Sequence, residues 1–153
     1  MKRYLLVLLV LLAWPWLAAR ADNQSVTFYL QLICGTDDDQ APAPDARPAG
    51  AEVTRRLQAF KWNYYWEISR RAVVVDPGGK TRKRMSARHE VEIALTTPGE
   101  MTIRIYADGK LSRRKTQPSE TPFFIAGGDK EEAQAWFIVV RRDNPPPPPP
   151  DSD

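Results

Sequence analysis

The sequence predicts a mainly β protein, an antiparallel sandwich or a partly open barrel, with one short helix in its N-terminal half. Several segments alternate apolar and polar side chains, which is the period of a strand with one buried face. Turn signals rich in Gly, Pro, Asp and Asn separate these segments at short intervals. In residues 51–60 the apolar side chains recur at spacings of three and four, which is the pattern of an amphipathic helix.

The N-terminal end predicts an export signal at residues 1–21. Lys2 and Arg3 precede an apolar block, and the pattern Ala-Arg-Ala that ends at Ala21 is typical of a cleavage site. We expect cleavage after Ala21 and a periplasmic or secreted protein, with no transmembrane segment after cleavage. The alternative is an uncleaved anchor, which the short apolar block disfavours because a spanning helix needs about 20 apolar residues.

Cleavage changes the charge balance of the chain. The sequence holds 22 basic and 19 acidic residues, and the signal contains three of the bases and no acid, so 19 of each remain. A balanced charge on an exported chain gives no reason to expect a nucleic acid partner. One cysteine cannot form an internal disulfide, so residues 22–142 are expected to fold as a single β-rich domain on a hydrophobic core alone.

The predicted domain begins with a strand at 25–34, because its even-numbered residues are four large apolar side chains and Cys34. An acidic loop rich in Pro and Ala is expected at 35–50, where there is almost nothing to bury. The short helix at 51–60 follows, with Phe60 on its apolar face.

An aromatic strand is predicted at 62–69. Its alternation favours one core-facing set, and it leaves Tyr65 as the aromatic side chain that meets solvent. The core-facing set of this strand is Trp62, Tyr64, Trp66 and Ile68. The three valines at 73–75 are expected to form either a separate short strand or a continuation of the aromatic strand past a bulge.

The second half of the domain is predicted to be a succession of strands. Asp108-Gly109 is a strong hairpin signal. Two of the strands are basic and suit the exposed edges of a sheet, because charge there discourages pairing with other chains. The predicted strands are 80–84, 89–95, 101–105 and 110–116.

The last part of the domain contains two apolar runs. The first, at 122–126, is expected to end at the two glycines that follow it, and the second, within 133–142, lacks alternation and is expected to be central and buried on both faces. Residues 143–153 contain six consecutive prolines and predict a disordered polyproline tail.

The leading functional hypothesis is a small exported binding module without catalytic residues. It would act by surface contact with an unknown protein or with an anionic component of the cell envelope. The binding residues expected from the two basic clusters are Lys80, Arg82, Lys83, Arg84, Arg113, Arg114 and Lys115.

The first alternative is a carbohydrate-binding module that stacks sugars on Trp62, Tyr65 and Trp66, since flat aromatic rings pack against the apolar faces of sugar rings. It requires the two indole rings to be accessible. The second alternative is a thiol hydrolase with Cys34 as nucleophile and His89 as base, which requires the two side chains to lie within hydrogen-bond reach.

No metal and no cofactor is expected. One cysteine and one histidine cannot supply the four nitrogen or sulfur ligands of structural zinc. The carboxylates at 37–39 and Asp45 lack the spacing of a calcium-binding loop, so a solvated loop is the favoured interpretation.

Overall fold

The computed structural model describes residues 24–96, 99–131 and 133–144, with the backbone alone for 128–131. The predicted signal peptide and the predicted tail from residue 145 onward lie outside these residues. Most of the described chain forms two antiparallel sheets accompanied by one short α-helix, which confirms the predicted fold class.

The first sheet has five strands and combines the two ends of the described chain. Its strands are β1 (Val26–Thr36), β2 (Arg47–Pro48), β3 (Tyr64–Val75), β8 (Phe123–Glu131) and β9 (Gln134–Arg141). They lie side by side in the order β2-β3-β1-β9-β8. The predicted loop at 35–50 is therefore shorter than expected, because β1 extends to Thr36 and β2 pairs with β3.

The second sheet is a four-stranded meander. Its strands, in spatial and sequence order, are β4 (Lys80–Arg84), β5 (His89–Thr96), β6 (Glu100–Ala107) and β7 (Lys110–Pro118). Asp108 and Gly109 both have positive φ angles, 49° and 76°, as a tight hairpin between β6 and β7 requires. The two basic segments form the two edge strands of this sheet, as predicted.

The helix α1 spans Ala51–Leu57, and a 3-10 turn at Gln58–Phe60 continues it. Val53 and Leu57 point from α1 onto the five-stranded sheet and are buried. Lys61 ends the segment in the left-handed conformation, with a φ of 61°. The predicted helix is confirmed, but Phe60 at its end is 47% exposed instead of covered.

Two hydrophobic layers pack on opposite faces of the five-stranded sheet. The larger layer lies between the sheets and includes Phe28 and Leu32 of β1 together with Ile103 of β6. The smaller layer lies under α1 and includes Ile33 of β1 and Phe137 of β9. Because the central strands β1 and β9 face a layer on each side, the predicted two-sided burial of the last apolar run is confirmed.

The aromatic strand is longer than predicted, and its exposed face is a different one. It continues through residues 73–75 as the single strand β3, and its pairing with β1 shifts register at Ile68, which confirms the bulge interpretation. Tyr65 is 7% exposed whereas Tyr64 is 41% exposed, so the prediction that Tyr65 meets solvent is wrong. Alternation separates the two faces of a strand, but here the face of Tyr65 is covered by α1.

The run predicted at 122–126 also differs from expectation. Its strand, β8, does not end at the two glycines but continues to Glu131. A register shift between Gly127 and Asp129 accommodates them, so they form a bulge within the strand rather than a turn after it.

The two sheets are joined along one side and separate along the other. At the joined side the chain turns from β3 into β4, and the hydroxyl of Thr81 donates a hydrogen bond of 3.0 Å to the carbonyl of Val74. At the other side the edge strand β7 of one sheet faces the edge strand β8 of the other. Across the described residues, no helix reaches the length and apolarity that crossing a membrane requires.

Candidate functional site

A cleft of about 590 Å³ lies at the open side, between β7 and β8. We call it the β7–β8 cleft. Its size falls within the range of about 300–1,000 Å³ that is usual for ligand sites. The residues that line it come from α1, the 3-10 turn and three strands, and they are Arg56, Phe60, Ile103, Ile105, Arg113, Arg114, Lys115, Phe124, Ile125, Ala126 and Gly127.

The floor of the β7–β8 cleft is apolar. Ile103 and Ile105 on β6 belong to the layer between the sheets, and Phe124 on β8 packs against that layer from the opposite sheet. Phe60 supplies an exposed ring at the rim and lies edge-on to Phe137, with ring centroids 4.8 Å apart. Ile103 and Ile105 are themselves buried, so the apolar surface that a ligand could reach belongs to the exposed ring of Phe60 and to the half-buried side chains of residues 124–126.

The wall of the cleft on β7 is basic because of strand register. Arg113 pairs with Ile105 and Lys115 pairs with Ile103, so these two bases lie on the face of the sheet that looks toward β8. Arg114 pairs with Arg104 and lies on the opposite face, and it lines the cleft from the edge strand itself. Within the described residues, Arg114 and Lys115 form no ion pair. No described acidic side chain lines the cleft.

A fourth base, Arg56, reaches the cleft from α1. Its guanidinium lies 4.2 Å from the centroid of the Phe123 ring, a cation–π contact, and 3.1 Å from Glu52. Glu52 also accepts a hydrogen bond of 2.9 Å from the buried guanidinium of Arg141, which ties α1 to β9. These contacts hold Arg56 beside β8.

The other predicted basic cluster lies on the opposite edge of the same sheet. Two strands separate β4 from β7, which places the clusters about 14 Å apart across the sheet. Arg82 donates to Glu90 at 2.7 Å and Arg84 donates to it at 3.2 Å. Hydrogen bonds from these two guanidinium groups lower the pKa of Glu90 below its ordinary value. Lys80 and Lys83 complete this edge.

The seven predicted binding residues are therefore not one site. Arg113, Arg114 and Lys115 line the β7–β8 cleft, whereas Lys80, Arg82, Lys83 and Arg84 lie on β4. The guanidinium of Arg82 also stacks over Tyr106, 3.7 Å from the ring centroid, so much of the charge on β4 is already engaged by the protein itself.

The three predicted sugar-stacking residues do not form a shared platform. The buried hydroxyl of Tyr65 donates to the carbonyl of Leu57 at 2.6 Å, and burial raises the pKa of Tyr65. Trp66 follows it on the opposite face of the strand. Trp62 packs against Gly35, where an added Cβ would lie only 2.7 Å from the indole ring. Both indoles are half-buried.

The predicted nucleophile and base do not contact each other. Cys34 is buried, and its Sγ donates to Oε1 of Gln134 at 3.1 Å and to the carbonyl of Gly35 at 3.9 Å. Burial raises the pKa of the Cys34 thiol to about 11, so it is protonated at neutral pH and weakly nucleophilic.

His89 has a different set of neighbours. Its Nδ1 lies 3.1 Å from the hydroxyl of Ser86, and its ring centroid lies 5.6 Å from that of Trp136. It lines a cavity of about 20 Å³ beside the β7–β8 cleft, which is too small for an organic substrate. The geometry gives the thiol hydrolase hypothesis neither an activated nucleophile nor a substrate pocket at His89.

The acidic loop is engaged in local structure. A carboxylate oxygen of Asp37 accepts from the backbone N–H of Asn63 at 3.2 Å, and one of Asp38 accepts from that of Gln40 at 3.0 Å. Nowhere in the described ranges do three His, Cys, Asp or Glu side chains converge as metal ligands would.

The sequence predicts a strand at 101–105 and an apolar run at 122–126, but it does not predict the cleft between them. Nothing in the sequence shows that the layer to which Ile103, Ile105 and Phe124 belong is open along one side. Arg56 lies on the polar face of the predicted helix, so its approach to β8 depends on how α1 packs. The basic residues of β7 were the one part of the cleft that the sequence indicated as a binding surface.

Comparison with known proteins adds no family to this description. No family model matches the chain, and neither the curated proteins nor the solved structures include a significant match to it.

Proposed function

We propose that the protein is an exported, non-catalytic binding module whose binding site is the β7–β8 cleft. The ligand is an anionic partner that also has an apolar part. One observation carries this proposal: basic residues of β7 and α1 line a cleft together with apolar side chains that are only half-buried, and Arg114 and Lys115 form no ion pair within the described residues.

The two parts of the site favour different parts of a ligand. Apolar contact with the floor contributes about 25 cal/mol per Å² of surface removed from water. Arg114 and Lys115, which form no ion pair within the described residues, attract an anion and accelerate its association, an effect that salt screens over about 10 Å at moderate ionic strength. An anion without an apolar part, or an apolar ligand without charge, would use only half of the site.

The opposite edge strand supplies a matched control. Lys80 and Lys83 lie on β4, and they too form no ion pair in the part of the chain that the structure describes. Arg114→Gln/Lys115→Gln and Lys80→Gln/Lys83→Gln therefore remove the same charge from the same sheet. Only the first pair touches the cleft.

The test is an NMR titration of the mature chain and both double variants with two amphiphilic anions. One is dodecyl phosphate, below the concentration at which it forms micelles, and the other is a peptide of about eight residues that alternates glutamate and valine. We expect at least one of them to shift amide signals of β7, β8 and the 3-10 turn. The cleft variant should weaken this binding about tenfold, whereas the β4 variant should leave it nearly unchanged.

Two results would overturn the proposal. One is that neither probe perturbs the cleft. The other is that the β4 control loses as much affinity as the cleft variant, because binding would then follow overall charge rather than the site.

A further inference from the structure

We infer that the partner of the β7–β8 cleft is an extended acidic segment of another polypeptide, bound as an added strand along the free edge of β8. This inference rests on the proposed function, and it specifies the chemical class of the ligand. It is carried by the shape of the cleft, by the hydrogen-bonding pattern of β8 and by the charges around both.

The cleft follows the edge of β8 rather than one of its faces. Four consecutive residues of this strand, 124–127, line it. Phe124 and Ala126 pack against the layer between the sheets, whereas Ile125 packs against the layer under α1. A cavity that touches both faces of a strand must run along its edge, because successive side chains point to opposite faces.

The hydrogen-bonding pattern of β8 shows which backbone groups lie at that edge. The N–H of Arg142 donates to the carbonyl of Pro122 at 3.1 Å, so these two residues form a hydrogen-bonded pair between β9 and β8. Such pairs alternate in an antiparallel ladder, and the next ones on β8 are therefore at Phe124 and Ala126. The N–H and C=O groups of Ile125 and Gly127 point away from β9, toward the cleft.

No described strand pairs with this edge of β8. Among the described strands, β9 is the sole neighbour of β8. An unpaired edge beside an apolar floor is the geometry that accepts an extended peptide, whose backbone supplies hydrogen bonds while alternate side chains fill pockets.

The same edge disfavours a lipid acyl chain as the occupant. An acyl chain in the cleft would cover the outward N–H and C=O groups of Ile125 and Gly127 without offering them partners. Burial of an amide without a hydrogen bond is unfavourable, because the group loses its bonds to water and gains none. A peptide strand satisfies these groups and covers the same apolar floor.

The charges specify an acidic peptide. Lys115 and Arg113 stand on the side of β8 that faces the second sheet, and Arg56 stands on the side that faces α1. Bases thus flank an added strand on both of its faces. Arg56 is already paired with Glu52, so the stronger attraction for peptide carboxylates is on the face of Lys115.

The test measures the affinity of the mature chain for the glutamate–valine peptide by fluorescence anisotropy, with three comparison ligands. A lysine–valine peptide reverses the charge. A version N-methylated at its central amides keeps the side chains and charges but cannot donate backbone hydrogen bonds. Dodecyl phosphate is an anionic amphiphile without amides. We expect the unmodified acidic peptide to bind at least about tenfold more tightly than each of the three.

Two measurements on the protein locate the contact. Hydrogen exchange followed by NMR should show the amides of Ile125 and Gly127 gaining protection when the acidic peptide binds. Ile125→Pro removes one backbone N–H that points toward the cleft, a change that an edge strand tolerates. It should lower the affinity for the acidic peptide about tenfold more than Ile125→Ala does. The exchange result stands by itself if Ile125→Pro fails to fold.

The outcomes separate this inference from the proposed function. If dodecyl phosphate or the N-methylated peptide binds the cleft as well as the acidic peptide, the added strand is wrong and the anion-binding cleft stands. If two copies of the chain pair through β8 and the peptide does not separate them, the edge belongs to a dimer and the inference fails. If no probe reaches the cleft, both proposals fail.

Discussion

The two edges of the four-stranded sheet carry similar basic sequences but have different surroundings. On β4, Arg82 and Arg84 share the carboxylate of Glu90, and the neighbouring turn joins this edge to the other sheet. On β7, Arg114 and Lys115 form no ion pair within the described residues and border an open cleft. Each edge keeps two bases without an ion pair within the described residues, but only those on β7 border a cleft, so similar runs of bases can have different surroundings.

The first prediction compares the interior of the sandwich with the floor of the cleft. Phe28 is fully buried between the sheets, and its replacement in Phe28→Ala should lower the free energy of unfolding by about 3–5 kcal/mol. Phe124 is only half-buried, so Phe124→Ala should cost less than half as much. Urea denaturation of both variants measures the difference, and equal losses would mean that the floor is ordinary core.

The second prediction compares a buried thiol with one placed at the open side. At about pH 8 a thiol with a pKa of about 11 is roughly one-thousandth ionised, whereas an ordinary thiol is roughly one-quarter ionised. In Ser112→Cys, iodoacetamide should label the new exposed cysteine on β7 at least about a hundredfold faster than Cys34. Mass spectrometry of timed samples resolves the two sites, and rapid labelling of native Cys34 would contradict its burial.

The third prediction separates charge from apolar surface. Glu90→Gln should release Arg82 and Arg84 from their ion pairs and so add two uncompensated bases to β4, where no cleft lined by apolar side chains is present among the described residues. We expect this variant to bind dodecyl phosphate at β4 no more tightly than inorganic phosphate, with a strong salt dependence. NMR shifts of β4 amides measure both affinities. If β4 then binds dodecyl phosphate as tightly as the cleft does, the apolar floor contributes nothing.

The fourth and smallest expected effect is the pKa of Glu90. Two guanidinium groups lower this pKa below its ordinary value of 4.5, so the interaction stabilises the folded protein above that pH and is lost as the pH falls through the folded-state pKa. In Arg82→Gln/Arg84→Gln the pKa should rise toward 4.5. Carboxyl-detected NMR titration measures it, and an unchanged pKa would mean that the ion pairs on β4 are not formed in solution.

Local patterns predicted the elements of the fold well where one physical signal dominated. The helix, the hairpin at Asp108 and Gly109, and the two-sided burial of β9 each followed from spacing or turn chemistry. Local patterns failed where a second layer covered a strand. Tyr65 was expected to meet solvent because its neighbours were apolar, yet α1 buries it, and the position of α1 cannot be read from the alternation of β3.

The candidate site was predictable only in part. The basic residues of β7 were visible in the sequence, but so were those of β4. Glu90, which lies opposite Arg84 in the strand register, is only six residues from it, so this part of the difference is local. The cleft is not local, because Phe124 approaches β7 only since β8 is the edge strand of the other sheet.

The sequence by itself determined the fold class, the kinds of residue in each strand and the position of the hairpin at Asp108 and Gly109, because these depend on side-chain periodicity and backbone preferences within about ten residues. The tertiary structure alone decided which aromatic rings are covered and where the sandwich stays open. Those properties depend on which strands end up at the edges of the two sheets, and such long-range pairing leaves no trace in the local pattern of the chain.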